Sequence, residues 1–314
     1  MNARVFRMLY QDRAFTPTTS DVRRSVALLA RNLGVNEGTV RNRIREFSRT
    51  GFITEVRFVL NPSLKGHGAA SASIDVPSES AQDELVDRLR LLEGVFLMSV
   101  FHGGILEVFF LHKDEPSLAR QVELIRRLAK AETVLVGRVP FPDCKITLSR
   151  TDWAVLKAMR GNPRRTYSSV ARETHLSPKT VKRRLERMIR EKTMFLFPAL
   201  NPARVAGELL AAIIVESPLE SKAETDRRVV AKFDEYLWVI SHRLPYRPGD
   251  LAPGGYGLML PNVSKGLEIL GEVRCMPGVK KARLEMFESI HTMYEPFEWD
   301  FEAPPRGAPV GRAT

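Results

Sequence analysis

The chain has 314 residues, 44% apolar and 27% charged, an ordinary globular composition with room for two to four domains. No apolar run reaches the roughly 18 residues of a membrane span, the first residues lack the succession of a secretory signal, and Cys144 and Cys275 form no metal-ligand spacing. The net charge of +11 is focused: residues 1–57 hold 11 Lys/Arg against 5 Asp/Glu, residues 150–192 hold 13 against 4, and the rest is mildly acidic, so a polyanion is the partner to look for.

In chain order, helices are expected at about Ala3–Gln11, Ser20–Asn32 and Glu37–Arg49. In the third, Val40, Ile44 and Phe47 recur at i, i+4, i+7, and Asn36 stands at the N-cap. A short β segment, Phe52–Leu60, runs into Asn61-Pro62. Strand Ala70–Val76, helix Ala81–Leu92, strands Val95–Phe101 and Leu106–His112, helix Ser117–Lys130 and strand Thr133–Val139 follow, which is the ferredoxin-like order. The series then restarts with helices Thr151–Arg160, Ser168–Thr174 and Pro178–Glu191, the last with Ser177 as N-cap and Val181, Leu185 and Met188 on its apolar stripe. β segment Met194–Leu200 precedes strand Leu210–Glu216, helix Lys222–Glu235, strands Leu237–His242 and Tyr256–Leu260, helix Val263–Met276 and strand Val279–Phe287. An insertion, Arg243–Gly255, carries Pro245, Pro248 and Pro253, and the Pro-, Gly- and Arg-containing tail Phe301–Thr314 is expected to be disordered.

The restart is a duplication. LARNLGVNEGTVRNRI (Leu29–Ile44) aligns without a gap on VARETHLSPKTVKRRL (Val170–Leu185), and Asn61-Pro62 matches Asn201-Pro202. The expected architecture is α+β: winged helix-turn-helix domains at residues 1–66 and 147–206 alternate with ferredoxin-like (βαββαβ) domains at 67–146 and 207–300, before a tail at 301–314. Apolar residues on both faces of each sheet, such as Val95, Leu97, Phe101, Leu106, Val108 and Phe110, exceed what two helices on one face cover, so sheet-on-sheet packing is expected.

The stretches LARNLGVNEGTVRNRIREFSRTGFI and VARETHLSPKTVKRRLERMIREKTMF resemble the Lrp/AsnC (feast/famine) family of transcriptional regulators. The resemblance implies a winged helix-turn-helix joined to a ferredoxin-like sensing domain, double-stranded DNA as partner, a small-molecule effector, and assembly through back-to-back sheets. Typical members carry one copy per chain, so the duplication implies an intrachain pseudo-dimer, with a homodimer as the alternative. The family's ligand-contacting turn has a Gly, a small gap and an acidic residue; His102-Gly103-Gly104 with Glu107 fits it in part. The insertion replaces that turn in the second unit, where His242 closes the corresponding strand, so amino-acid sensing does not carry over there.

A recognition helix buries one stripe and offers the other to the major groove. The offered set in the first unit includes Asn36, Thr39, Arg41, Asn42, Arg43 and Arg45 beside Glu37. In the second it is Ser177, Lys179, Thr180, Lys182, Arg183, Arg184 and Arg187, with Arg164 and Arg165 in the preceding turn and Arg57 on the first wing as a weaker candidate. An Arg-rich solvated face is the bland alternative; the concentration of charge where the motif lies favours DNA contact. His102, Gly103, Gly104, Glu107 and His242 are the candidates for ligand contact, although a strand-end histidine is more often only a satisfied polar group. Siroheme decarboxylases share the architecture, and Ile240-Ser241-His242 with Tyr246-Arg247 and Tyr256 loosely matches their strand-end tetrapyrrole motif at a different spacing. Such enzymes need no basic recognition helices, so a cytoplasmic, non-enzymatic regulator without cofactor, metal or membrane partner is expected. A non-specific architectural DNA-binding protein is the third reading.

Overall fold

The computed structural model describes residues 2–10, 26–76, 79–144, 146–163 and 165–297. The first unit runs α1 (Asn2–Tyr10), α2 (Val26–Leu33), α3 (Glu37–Arg49), β1 (Ile53–Leu60), β2 (Gly68–Asp75), α4 (Glu79–Arg90), β3 (Val95–Phe101), β4 (Ile105–His112), α5 (Glu115–Leu128) and β5 (Leu135–Val139). The second runs α6 (Arg150–Met159), α7 (Tyr167–Thr174), α8 (Pro178–Arg190), β6 (Met194–Leu200), β7 (Leu209–Ser217), α9 (Leu219–Phe233), β8 (Leu237–His242), β9 (Leu244–Pro245), β10 (Ala252–Leu260), α10 (Val263–Arg274) and β11 (Lys281–Thr292). The fold is α+β, with two helical heads and two βαββαβ units. The expected residues 20–25 of the second helix, and the tail, lie outside the described residues.

Each head turns on one left-handed residue. Gly34 (φ 68°) follows α2, and the Val35 N–H closes on the Ala30 carbonyl at 3.0 Å. Its counterpart after α7 is His175 (φ 54°), where the Leu176 N–H closes on Ala171 at the same distance. A side chain in that region is strained where glycine is not. Both recognition helices are capped from their own sequence: Asn36 accepts from the Thr39 N–H at 2.8 Å, and Ser177 from the Thr180 N–H at 3.1 Å.

The β segments read as wings are not separate wings. β1 and β6 pair with each other, antiparallel, from Ile53 opposite Leu200 to Leu60 opposite Met194. Their apolar residues, among them Phe58, Leu60, Met194 and Leu196, merge the cores of the two heads into one cluster. Each strand has its backbone partner in the other unit, a pairing that one unit's sequence does not display.

The remaining strands form one sheet in the order β8-β10-β7-β11-β3-β4-β2-β5-β9. β11 extends beyond the expected end at Phe287: Lys281–Met286 pair with β7, and Phe287–Thr292 cross to β3 of the other unit. The insertion contributes β9, paired with Gly137 and Arg138 of β5, and the first residues of β10. β8 and β9 stand at opposite ends of this order yet are separated in the chain by Arg243 alone. The sheet must therefore curl until its ends meet at Arg243, which sets the two four-stranded halves face to face within one chain. The helices cover the outer faces, over Ala70, Ile74, Leu106 and Val108 in one unit and Ala211, Ile213, Tyr256 and Leu258 in the other.

α1 leaves its own unit. Phe6 packs edge-on against Trp238 of β8 at 5.3 Å between ring centroids, and Arg4 and Arg7 reach Asp234 after α9. The first head is thus seated on the second sheet.

Candidate nucleic-acid interface and interior cavity

Asn36, Glu37, Arg41, Asn42 and Arg45 are exposed on α3, with Thr39 and Arg43 half-buried. Arg41 pairs with Glu37 at 3.3 Å and Arg43 with Glu46 at 2.7 Å. On α8, Ser177, Lys179, Lys182 and Arg183 are exposed and Thr180 half-buried. Lys182 stands 3.8 Å from Glu186. Asn36 and Ser177 already spend a side-chain oxygen on their caps, so a base contact must come from their remaining groups.

Arg184 and Arg187 behave differently. Both turn back to Asp152 of α6, at 2.9 and 2.6 Å, and that carboxylate is fully buried. Burial pushes the Asp152 carboxyl up, but hydrogen bonds from Ser149 and Arg184 and the charge of Arg187 outweigh it, so its pKa lies below the usual value. These two arginines hold the recognition helix on α6. The sequence offers both to DNA and gives no sign of Asp152 as their partner; the structure turns them inward instead. Arg165 is likewise engaged, with Glu173 at 2.5 Å and the Ala158 carbonyl at 2.6 Å. Arg164 lies outside the described residues. Arg57 pairs with Glu55 and lies over the Tyr294 ring, 4.5 Å from its centroid.

The ligand candidates meet three different partners. His102, Gly103 and Gly104 are the turn between β3 and β4; His102 lies 3.6 Å from Glu288. Gly104 (φ 90°) comes so close to the Val76 carbonyl that a Cβ would stand 2.3 Å from it, which accounts for this glycine without a ligand. Glu107 is buried and binds Arg243 through both carboxylate oxygens, the Nη2–Oε2 bond measuring 2.9 Å. Arg243 is 2% exposed, stacks 5.2 Å from the Phe109 centroid and donates Nε–H to Ser241 at 3.2 Å. Two glycines make its slot: a Cβ at Gly137 would reach Arg243 Cβ at 3.0 Å, and one at Gly255 would reach Nη2 at 2.8 Å.

His242 meets Asp226 of α9, Nδ1 to Oδ2 at 2.7 Å. The same carboxylate receives Lys222 Nζ at 2.8 Å and the Tyr256 hydroxyl. Burial pushes Lys222 down, partly offset by Asp226, and pushes the Tyr256 hydroxyl far up. Burial also pushes Asp226 up, but its hydrogen bonds with His242, Lys222 and Tyr256 hold it below the usual value. Lys222 and Asp226 are four apart on one helix, which in sequence reads as a surface pair; here both are buried.

Between the two sheet halves lies a cavity of about 370 Å³. Its walls come from α1 (Phe6, Tyr10), β6 (Leu196, Phe197), and the inward faces of β3, β4, β8 and β10. Aromatic rings dominate; the Glu107–Arg243 pair, Ser99, Ser241 and His242 supply the polar part.

Away from this cluster, burial lowers the pKa of His67, His112 and His291 from the ordinary imidazole value of 6.5. The unfolded chain then binds more protons below that value than the folded one, so stability rises with pH through that region. Denaturant midpoints are expected to hold level above about pH 7 and to fall between roughly pH 6.5 and 5. A midpoint that rose on acidification in this window would contradict the burial assignment.

Among the described residues, no helix is long and apolar enough to cross a membrane, and no group of three or more His, Cys, Asp and Glu side chains is placed to hold a metal ion. A family model described as winged helix-turn-helix DNA-binding matches residues 148–192. An uncharacterised HTH-type transcriptional regulator of Pyrococcus horikoshii is 31% identical over 93 residues, 29% of this chain and 58% of that protein. A second such regulator, of Pyrococcus abyssi, is 32% identical over 74 residues, 23% of this chain and 47% of that protein. The chain spans about half the length of these curated relatives. The crystal structure of the siroheme decarboxylase NirDL superposes with a TM-score of 0.55 at 16% identity, covering 96% of this chain and 97% of that one. The winged helix-turn-helix expected from the sequence holds in the family match, and the duplicated α+β fold extends through the described residues.

Proposed function

We propose that the protein is a DNA-binding transcriptional regulator in which one chain supplies two DNA-reading heads. The carrying observation is the β1–β6 ribbon, which ties two capped, basic recognition helices into one body. Two heads on a rigid base read half-sites about one helical turn apart, or a multiple of it. The helices begin differently, Glu37-Gly38-Thr39 against Pro178-Lys179-Thr180, so the two half-sites differ and the operator lacks dyad symmetry. Footprinting checks this: protection confined to a single half-site would refute paired heads.

The arginines of α8 separate binding from scaffolding. Arg183→Ala is expected to weaken specific binding by roughly 1–3 kcal/mol if Arg183 reads a base edge, with no change in Tm. Arg184→Ala is expected to lower stability by about 1–3 kcal/mol, because it strips a donor from buried Asp152. Anisotropy titrations beside thermal melts distinguish the two. Unchanged DNA affinity in both Arg183→Ala and Arg43→Ala would remove the recognition-helix assignment.

A second reading, a tetrapyrrole decarboxylase, draws on the whole-chain fold likeness to NirDL and on the His242–Asp226–Tyr256–Lys222 cluster. Two features weigh against it. The cavity sits at the low end of the roughly 300–1,000 Å³ span of small-molecule sites. Its arginine is already neutralised by Glu107, which leaves little to meet a carboxylate-rich macrocycle. Titration with an iron porphyrin carries the decision: a stoichiometric Soret shift supports the enzyme, and its absence supports the regulator.

A further inference from the structure

The cavity between the sheets is walled largely by aromatic rings, and its charged groups are already matched: Glu107 holds Arg243, and His242 rests on Asp226. Nothing in it rewards an added charge, whereas an aromatic ring buried there leaves water and meets other rings.

The chain itself brings such a ring to the rim. After β11 the backbone stays against the first sheet half: the Met293 N–H donates to the Phe96 carbonyl at 2.9 Å, and the Tyr294 hydroxyl donates to the Phe197 carbonyl at 3.0 Å. The described residues end at Phe297, whose buried ring lies 5.1 Å from Phe96 and 5.9 Å from Phe197 between centroids. Phe96 and Phe197 also line the cavity, so Phe297 shares a wall with it.

The sequence that follows is patterned. Phe297-Glu298-Trp299-Asp300-Phe301-Glu302 alternates aromatic and acidic residues without a break, until Ala303-Pro304-Pro305 ends it. A period of two is the strand pattern, which puts the rings on one face and the carboxylates on the other. An extended chain advances about 3.3 Å per residue, so Trp299 can reach about 7 Å from Phe297, past the shared wall. The size agrees. The cavity of about 370 Å³ equals on the order of a dozen waters of roughly 30 Å³ each, which is room for one indole side chain of about ten non-hydrogen atoms. The charge agrees as well: Arg57 lies over the Tyr294 ring, 4.5 Å from its centroid, and sets a cation near the point of exit for the acidic face.

We propose that Glu298–Glu302 docks in extended form at the inter-sheet cavity of its own chain, with the Trp299 indole inside, Phe301 at the mouth and the acidic face outward. The cavity is then an intramolecular docking surface. α1 of the first head and β6 beside the second both line it, so the docked segment braces the two heads together. This docking stands without the DNA-binding reading.

The test uses the full chain labelled with fluorotryptophan at Trp153, Trp238 and Trp299 and followed by fluorine NMR. The line lost in Trp299→Phe belongs to Trp299. It is expected well away from its position in a labelled peptide of residues 297–305, because aromatic rings surround it in the cavity. Val139→Phe fills the part of the cavity beside Phe297 and should return the line to the peptide position, with far-UV dichroism confirming that variant's fold. A wild-type line at the peptide position, or a displaced line untouched by Val139→Phe, overturns the docking. A second measurement does not depend on Val139. N-phenyl-1-naphthylamine, a neutral fluorescent probe, should bind Trp299→Ala roughly tenfold more tightly than wild type, for an undocked form that is about a tenth of the wild-type population. Equal affinity for the two chains overturns the plug. Light scattering settles whose segment it is: a displaced Trp299 line in the monomer supports docking within one chain, and one confined to a dimer fraction overturns it in favour of a second copy.

Discussion

Arg243→Ala is expected to destabilise the protein by about 3–5 kcal/mol, with a fall in Tm on the order of 10 °C. Removing the guanidinium leaves the Glu107 carboxylate buried and without its two charged hydrogen bonds, and withdraws the residue where the two ends of the sheet meet. Glu107→Ala should be comparably harmful, because it abandons the guanidinium in the slot made by Gly137 and Gly255. The pair need not be worth that much against apolar residues. Replacing both, as Glu107→Leu with Arg243→Met, exchanges two desolvated charges for packing and should recover most of the loss. A double-mutant cycle on chemical denaturation measures the coupling. If the double variant is no better than the singles, the damage lies in the closure of the sheet and not in an orphaned charge.

The second large effect is on DNA affinity. Between roughly 50 and 200 mM salt, binding is expected to weaken by about 10³–10⁵ if the two heads together neutralise 6–10 phosphates. The exposed cations expected to meet the DNA are Arg41 and Arg45 on α3 and Lys179, Lys182 and Arg183 on α8, with others in the two basic segments. The ion pairs of Arg41 with Glu37 and of Lys182 with Glu186 are solvent-exposed and worth little, so they give way to phosphate readily. Arg184 and Arg187 stay with Asp152 and add little to the slope. A log–log plot of the association constant against salt gives the number of phosphates from its gradient, about −0.9 for each. A gradient near zero would end the DNA reading.

The elements legible in the sequence are those whose physics is local. α3 and β3 occupy the expected residues because Val40, Ile44 and Phe47 mark a helical stripe, Asn36 supplies the cap, and the strand lies between turn residues. What was hidden depends on partners far along the chain. The crossing of β11 to β3 is written in no short pattern around Ser289–Thr292; it exists because the other unit presents an open edge. Glu107 and Gly104 looked like one ligand-contacting turn, yet one is half of a buried ion pair and the other fills a steric need beside Val76. Arg243 looked like the first residue of a proline-rich loop, and its slot is visible only once β5 and β10 lie alongside it.

The β1–β6 ribbon also changes how the protein responds to its own abundance. A regulator that must find a second copy has half its heads idle whenever the concentration falls below its dissociation constant, so its occupancy of an operator depends on the square of a small number. Here the partner strand is encoded some 130 residues downstream in the same chain. On the proposed regulator reading, each molecule leaves the ribosome with both heads, and operator occupancy is expected to rise linearly from the first copy. Each half is also free to drift, because a change in one recognition helix is not imposed on the other.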